Sequence, residues 1–500
     1  MTPAEARHWL HFSVFDTLNR LDAAPVIVER LPQHILRAYQ FDILAEVARL
    51  MSLGVKRILV VLPTGGGKTV MASAMIQSAR SQCMRNQFIV HRKELLEQTS
   101  RTFARSQIQH GFIAADLGFD YTAETILAGI QTLVRRVGLV LPPKLAIVDE
   151  AHHATANSWA TVLETYADQD CFIVGLTATP ERLDGRGLGE HFDAMVIGPT
   201  VSELIEWGYL SKFDYYAPGV PDLKGVRTTA GDFNRADLAD FMDKPKLIGD
   251  LVTHYNRLAA GEQGIVFATS IEHSKHIATA FEQDGITAAH VDGELSKEIR
   301  HNRMSAFIRG DIRILSNVDL FGEGFDVPAV SYVGDAQPTK SLGRFLQKCG
   351  RALRIFDGKQ KAIICDHSGN AFRHGLPDDE HEWSLQGKVK GSRKSDSNEA
   401  DFSVRQCKVC FRVVPSVVKI CPGCDTEFPI QQRKLKQEDG ELTKLERAKA
   451  KEAARVQRKI EERECQSFED YRRLAIARNY SKPAGWAKVQ WKLRNGGRIS

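Results

Sequence analysis

The sequence predicts an α/β protein of two tandem parallel-sheet units, followed by a small cysteine-bound module and a basic helical tail. Three observations predict it. Short aliphatic runs alternate with longer helix-compatible stretches, first over about 36–210 and again over about 245–370, the signature of βαβ units. Those runs are continuously apolar rather than alternating, as in strands buried on both faces. After 370 the composition turns Gly-, Ser-, Lys- and Asp-rich, the mark of a linker. Five hundred residues are also too many for one core, since domains usually hold about 100–200.

The elements follow in order. Residues 1–35 are an N-terminal extension with no assignable motif. The first domain, 36–214, draws its strands from 57–62, 88–90, 125–128, 145–148 and 171–174. A connector rich in Pro, Gly and Asp occupies 215–244. The second domain, 245–372, draws its strands from 264–267, 288–291, 312–316, 330–333 and 361–365. A linker over 373–404, a four-cysteine module over 405–430 and a basic helical region over 431–500 complete the chain.

The clearest chemistry lies where the first strand ends. Leu59-Val60-Val61-Leu62 runs into Pro63-Thr64-Gly65-Gly66-Gly67-Lys68-Thr69 and then a helical stretch. Glycines let successive backbone N–H groups converge on phosphate oxygens, and the helix N-terminus adds more. Lys68 is placed to reach β- and γ-phosphates and the Thr69 hydroxyl to hold Mg²⁺. The strict pattern has glycine at position 62, where this chain has Leu62. About 80 residues on, Leu145-Ala146-Ile147-Val148-Asp149-Glu150 sets two carboxylates at a strand's carboxyl end, where open parallel sheets bind ligands. Asp149 suits Mg²⁺ and Glu150 suits orienting and deprotonating a water. An Asp-Glu pair alone also serves as a helix cap; its pairing with the phosphate loop favours catalysis.

Cys407-x₂-Cys410 and Cys421-x₂-Cys424 have the spacing of a tetrahedral four-thiolate site. Zn²⁺ is the expected metal, iron its main rival. The segment is too short for a core of its own, so the metal would supply much of its folding energy. The other five cysteines are scattered and read as buried thiols in a cytosolic chain. No apolar run reaches the roughly 18 residues of a membrane span, and the first residues lack a secretory h-region, so a cytoplasmic location is the expectation. Charge is uneven: residues 391–500 carry 25 basic and 15 acidic side chains, while the rest is mildly acidic. A basic tail suits a polyanionic partner or solubility alone. Within it, Trp486 and Trp491 interleave with Lys and Arg, which fits phosphate contact plus base stacking or a small packed amphipathic helix.

Taken together, these residues resemble the motifs of the superfamily 2, DExD/H-box helicases, in order over about 330 residues. Leu36-Arg37-Ala38-Tyr39-Gln40 resembles the adenine-reading segment, with Arg37 and Gln40 as nucleotide contacts. Asp149-Glu150-Ala151-His152 is a DEAH box. His91-Arg92, Gln131-Thr132 and Thr269 fall in motifs that contact a nucleic-acid strand. Thr177-Ala178-Thr179, with His152 and Gln347, matches residues that couple hydrolysis to domain movement. Gly324-Phe325-Asp326 resembles a segment touching ribose and nucleic acid, and Gly350-Arg351-Ala352-Leu353-Arg354 an arginine-finger motif. Within the family, the chain resembles bacterial and phage DNA-repair helicases of the RadD type, which carry a DECH-type box where this chain has DEAH. The resemblance implies two RecA-like P-loop domains, ATP and Mg²⁺ between them, and Arg351 and Arg354 as fingers opposite Lys68, Asp149 and Glu150. It implies a motor on nucleic acid. Thr-Ala-Thr rather than Ser-Ala-Thr leans toward DNA, in a repair, recombination, phage or defence setting. An RNA helicase, an ATP-switched binding subunit and the motor of a restriction or defence complex are the rivals. Protein partners would bind through the C-terminal region.

Overall fold

A computed structural model describes residues 36–387 and 404–428, apart from 116, 154–156, 181–186, 220, 230 and 321–329, and part of 461–491. The described residues through Phe428 form one compact unit; those beyond it form a second.

The first domain opens with α1 (Ala38–Ser52), whose Ile43, Leu44, Val47, Ala48 and Met51 make one buried stripe. Its strands are β1 (Arg57–Val61), β2 (Asn86–Val90), β3 (Gly111–Ala114), β4 (Gly118–Phe119), β5 (Thr125–Gly129), β6 (Leu145–Asp149), β7 (Phe172–Thr177) and β8 (Ala194–Ile197). They form one eight-stranded sheet in the order β4-β3-β5-β2-β6-β7-β1-β8, parallel except for β4. Helices α2 (Lys68–Ser81), α3 (Lys93–Arg105), α4 (Ile130–Leu133) and α5 (Asn157–Asp168) supply the connections. Strands β1, β2, β6 and β7 are buried almost throughout, with separate apolar clusters on the sheet's two faces. Burial on both faces is what the unbroken aliphatic runs required.

The second sheet, entirely parallel, runs β13 (Ala288–Val291), β14 (Ile314–Asn317), β12 (Gly264–Phe267), β15 (Tyr332–Asp335), β16 (Ala362–Asp366), β9 (Phe213–Tyr216). Helix α6 (Val201–Glu206) follows β8, and the second domain adds α7 (Arg235–Met242), α8 (Pro245–Leu258), α9 (Ile271–Gln283), α10 (Lys297–Arg309), α11 (Leu342–Leu353) and α12 (Ala371–His374). Proline at the first position of α8 and the Ser270, Ser296 and Ser341 caps of α9, α10 and α11 fix the helix starts.

Two boundaries differ from the sequence reading. Strand β9 straddles the first domain's expected end at 214 and belongs to the second sheet, hydrogen-bonded to β16. The connector is also more ordered than its Pro, Gly and Asp content suggested. It folds into a hairpin, β10 (Thr228–Thr229) with β11 (Asp232–Phe233), and α7. Asp232 then accepts hydrogen bonds from the Thr339 hydroxyl (2.8 Å) and the Lys340 N–H (2.7 Å) of the second domain. Part of the expected linker is ordered too. Trp383 and Leu385 pack on the first domain, and the Leu385 carbonyl accepts from Gly189 N–H at 2.8 Å.

The four-cysteine module, with β17 (Val404–Gln406) paired to β18 (Val413–Pro415), is docked on the second sheet's edge. Arg412 bridges to Tyr216 of β9 and ion-pairs with Asp214, and Ala217 N–H donates to the Phe411 carbonyl. In the C-terminal unit, α13 (Phe468–Ala477) starts at a Ser467–Asp470 capping box. Among the described residues, no helix is long and apolar enough to cross a membrane.

Candidate ATP site at the domain seam

The phosphate loop leaves β1 and enters α2 through Gly65 and Gly67, both with φ of +86°, a conformation open to glycine and strained for other residues. Leu62, the departure from the strict pattern, is fully buried. It extends the β1 ladder by donating to the Thr177 carbonyl (2.9 Å), and a Cβ on Gly66 would lie 2.7 Å from its Cγ. An apolar anchor thus stands under the loop where a glycine was expected. Tyr39 OH and Gln40 Nε2 both donate to the Gly66 carbonyl, at 2.8 and 2.9 Å. The Gln40 Oε1 accepts from the Arg37 N–H (2.9 Å), and the Arg37 guanidinium stacks 4.4 Å over Tyr209. The Gln40 amide is therefore engaged at both ends, and it holds the loop from beneath.

Lys68 Nζ points back along the loop, 3.5 Å from the Leu62 carbonyl and 3.9 Å from Glu150 Oε1. Thr69 opens α2 beside it. Asp149 ends β6, buried. Burial and the neighbouring Glu150 carboxylate push its pKa up to about 6, against the pull of Lys68. Glu150 follows with φ of +49°, an uncommon conformation for a non-glycine residue, of the kind found at active sites. His152 joins this pair to the end of β7: its Nδ1 lies 3.4 Å from Glu150 Oε2 and 3.2 Å from the Thr177 hydroxyl. Thr177 in turn donates to the Thr179 carbonyl at 2.7 Å.

The second domain meets this site through α11. A Cβ on Gly343 would lie 2.8 Å from the Thr179 hydroxyl, and one on Gly350 would lie 2.6 Å from Thr64 Cβ. Two glycines seven residues apart thus bring one face of α11 onto the first domain. Gln347 lies between them and is buried, with Arg351 also buried on the same helix. Arg354, just after the helix, places its Cγ 3.8 Å from where a Gly65 Cβ would stand. Lys359 holds this helix end, donating to the carbonyls of Ala352, Arg354 (2.9 Å) and Val330 (2.8 Å). Gly343, Tyr39 and Lys359 were not singled out in the sequence. For Tyr39 the signal was its place in the Leu36–Gln40 segment, and for Gly343 its seven-residue spacing from Gly350.

The expected strand-contacting residues separate into groups. His91 and Arg92 lie between β2 and α3, and Arg92 donates to the Asp319 carbonyl of the second domain (3.3 Å). Gln131 is exposed and Thr132 half-buried on α4. Thr269 is buried, its hydroxyl 2.9 Å from His273 Nδ1. Trp491 packs against Tyr471 within the C-terminal unit (centroids 6.4 Å apart). Gly324, Asp326 and Trp486 lie outside the described residues. Cys407, Cys410, Cys421 and Cys424 bring all four sulfurs within 4.8 Å of one another, with pairs at 3.5 Å. Four thiolates about 2.3 Å from one ion would be spaced on this scale.

Comparison with known proteins agrees with this arrangement. Residues 33–182 match the family described as "Type III restriction enzyme, res subunit", and residues 243–356 match "Helicase conserved C-terminal domain". A 51.5 kDa protein of a Lactococcus phage is 34% identical over 78% of this chain and 82% of its own length. A Saccharomyces cerevisiae protein named as an ATP-dependent helicase, IRC3, is 30% identical over 67% of this chain; the chain spans about half of it, 52%. The DNA 3'-5' translocase XPB2 of Sulfurisphaera tokodaii is 25% identical over 69% of this chain and 84% of its own. A fragment of an HsdR-type subunit of a type I restriction enzyme from Vibrio vulnificus shares the fold, with TM-score 0.57 and 22% identity over 71% of this chain and 67% of that one. With two RecA-like sheets, a phosphate loop and DEAH pair on one and a glycine-arginine helix on the other, this chain belongs to the superfamily 2 DExD/H-box helicases, ATP-hydrolysing motors of nucleic acid.

Proposed function

We propose that the chain hydrolyses ATP at the seam between its two sheets and uses the seam's opening and closing to travel along DNA. The observation that carries this is the contact of α11 with the phosphate loop, Gly350 against Thr64 and Arg354 beside Gly65. A nucleotide there is gripped by both domains at once, so turnover and domain movement are coupled.

The residues fit ATP and Mg²⁺. Gly65 and Gly67 take a positive φ that only glycine adopts without strain, and the buried Asp149 carboxylate lies, like the loop, at the carboxyl end of a parallel strand. When bound, Mg²⁺ neutralises charge on the transferred phosphoryl group. Thr69 and Asp149 would hold it. Lys68 binds the β- and γ-phosphates, Glu150 orients the attacking water and takes its proton, and Arg351 and Arg354 offset charge developing on the phosphoryl oxygens. Arg37 and Gln40 are the adenine contacts we assign. His152, Thr177, Thr179 and Gln347 pass the hydrolytic state to the seam. The four-thiolate cluster fits Zn²⁺, in a role that holds the module against β9. His91, Arg92, Gln131, Thr132, Thr269 and the tail's Trp486 and Trp491 are the strand contacts we assign, with Gly324 and Asp326 at the ribose.

DNA is favoured over RNA by the likeness to the DNA translocase XPB2. Steady-state ATP hydrolysis with single-stranded DNA, duplex DNA or RNA added separately tests the reading. Stimulation by RNA alone would overturn the DNA preference. The match of 33–182 to a restriction-enzyme family favours a second reading, a motor subunit of a restriction or defence complex. Among the motifs read in the sequence none makes a nuclease.

A further inference from the structure

Arg92, assigned above to the strand, and the helix carrying Arg351 are joined by an unbroken chain of polar contacts. It begins at Asp319, between β14 and β15, whose φ is +52°. Arg92 of the first domain donates to its carbonyl (3.3 Å), and Arg235 of α7 ion-pairs with its carboxylate at 2.6 Å. The other carboxylate oxygen accepts from Gln337 Nε2 at 3.2 Å. Gln337 is fixed from its other side: its N–H donates to Asp335 Oδ1 (3.1 Å), and its carbonyl accepts from Lys348 Nζ (2.7 Å). Lys348 closes a buried ion pair with Asp335 at 2.6 Å, both side chains 2% exposed, and Asp335 Oδ2 accepts from Asn370 at 2.8 Å. Lys348 lies on α11 between Gln347 and Gly350.

Every link matters for a physical reason. A buried ammonium left without its carboxylate is costly, so Lys348 cannot move independently of β15. A displacement of α11 as the seam opens must therefore carry the 335–337 segment, and with it the amide that grips Asp319. Conversely, a strand phosphate drawing Arg92 or Arg235 away from Asp319 loosens one end of the same chain.

We propose that Gln337, acting through the Asp335–Lys348 pair, is a positioning residue that couples strand binding at Arg92 and Arg235 to the placement of the arginine-bearing helix α11. This rests on the motor reading above. It touches neither nucleotide nor strand; its effect is on the ratio of stimulated to unstimulated turnover.

The test is Gln337→Leu, which removes the amide and keeps the bulk, in the full-length chain. ATP turnover is read with and without single-stranded DNA, with DNA affinity measured separately. The expected result is a stimulation ratio lowered about 3- to 20-fold, with unstimulated turnover and DNA affinity within about twofold of the parent. Lys348→Met combined with Asp335→Asn, which removes both charges together, should lower the ratio to the same level, and adding Gln337→Leu to it should lower it no further. An unchanged ratio in Gln337→Leu, or a parallel fall in both rates, overturns the coupling. A parent chain indifferent to single-stranded DNA, duplex DNA and RNA instead sinks the motor reading, and the coupling with it.

Discussion

At the residue scale, the site is built from side chains that each serve two neighbours. Glu150 faces Lys68 on one side and His152 on the other. Its backbone lies in the left-handed region, with φ of +49°, a conformation uncommon for a non-glycine residue. Lys68→Ala removes the phosphate-reaching charge, and Glu150→Gln removes the base while keeping shape. Both should cut ATP turnover by at least about 10²–10⁴-fold. Glu150→Gln should still bind ATP with near-parent affinity, measurable with a fluorescent nucleotide analogue. Turnover surviving in Glu150→Gln would move the base elsewhere. Leu62 teaches a related point: a consensus glycine can be replaced when the side chain points into the core, here beneath Gly66.

At the element scale, the second domain buries three neutral imidazoles. Burial holds the pKa of His273 down to about 4, of His374 to about 4 and of His367 to about 3. The unfolded chain takes these protons near 6.5 and the folded chain does not. Stability supplied by the neutral rings is thus complete above pH 6.5 and drains away as pH falls toward 4. At pH 5 the loss is about 2 kcal/mol per ring. Thermal melting followed from pH 7 to pH 5 should show a steep drop; a flat profile would contradict this account. The four-cysteine module makes a second element-scale prediction. It pairs with β9 through Arg412 and Phe411, so stripping its metal should expose that edge. Metal analysis should find about one zinc per chain, and chelation should raise hydrogen exchange at 215–217 before the rest of the sheet opens. A chain with no zinc or iron removes the metal assignment.

At the scale of the whole molecule, function depends on how closely two sheets approach. Gly350 has no room for a Cβ against Thr64, so Gly350→Ala should hold the seam slightly open. ATP affinity, set largely on the first domain, should change little, while maximal turnover falls about 10- to 100-fold. An alanine variant with parent turnover would show that this contact loosens before chemistry. The ordered passage from α12 back to the first domain, through Trp383 and Leu385, adds a second tie between the domains besides the 215–244 segment.

The sequence by itself determined the two α/β units, the phosphate loop, the Asp149–Glu150 pair and the four-cysteine grouping. Each is local: a strand run, a turn and a spacing are written in neighbouring residues. It also singled out Arg351 and Arg354, because the glycine-arginine segment that resembles the family's motif is contiguous. What only the tertiary structure decided are the contacts between distant segments. Strand β9 joins the second sheet although it sits at the first domain's end, because each of its pairing partners lies 149 residues away in β16. Trp491 packs beside Tyr471 in a local cluster, a choice its basic neighbours did not reveal. The Arg92–Asp319–Gln337–Lys348 chain spans both domains, and no periodicity or composition records it. Local chemistry can be read from a string because its parts are adjacent along it; the seam cannot, because its parts become adjacent only when the two sheets are packed together.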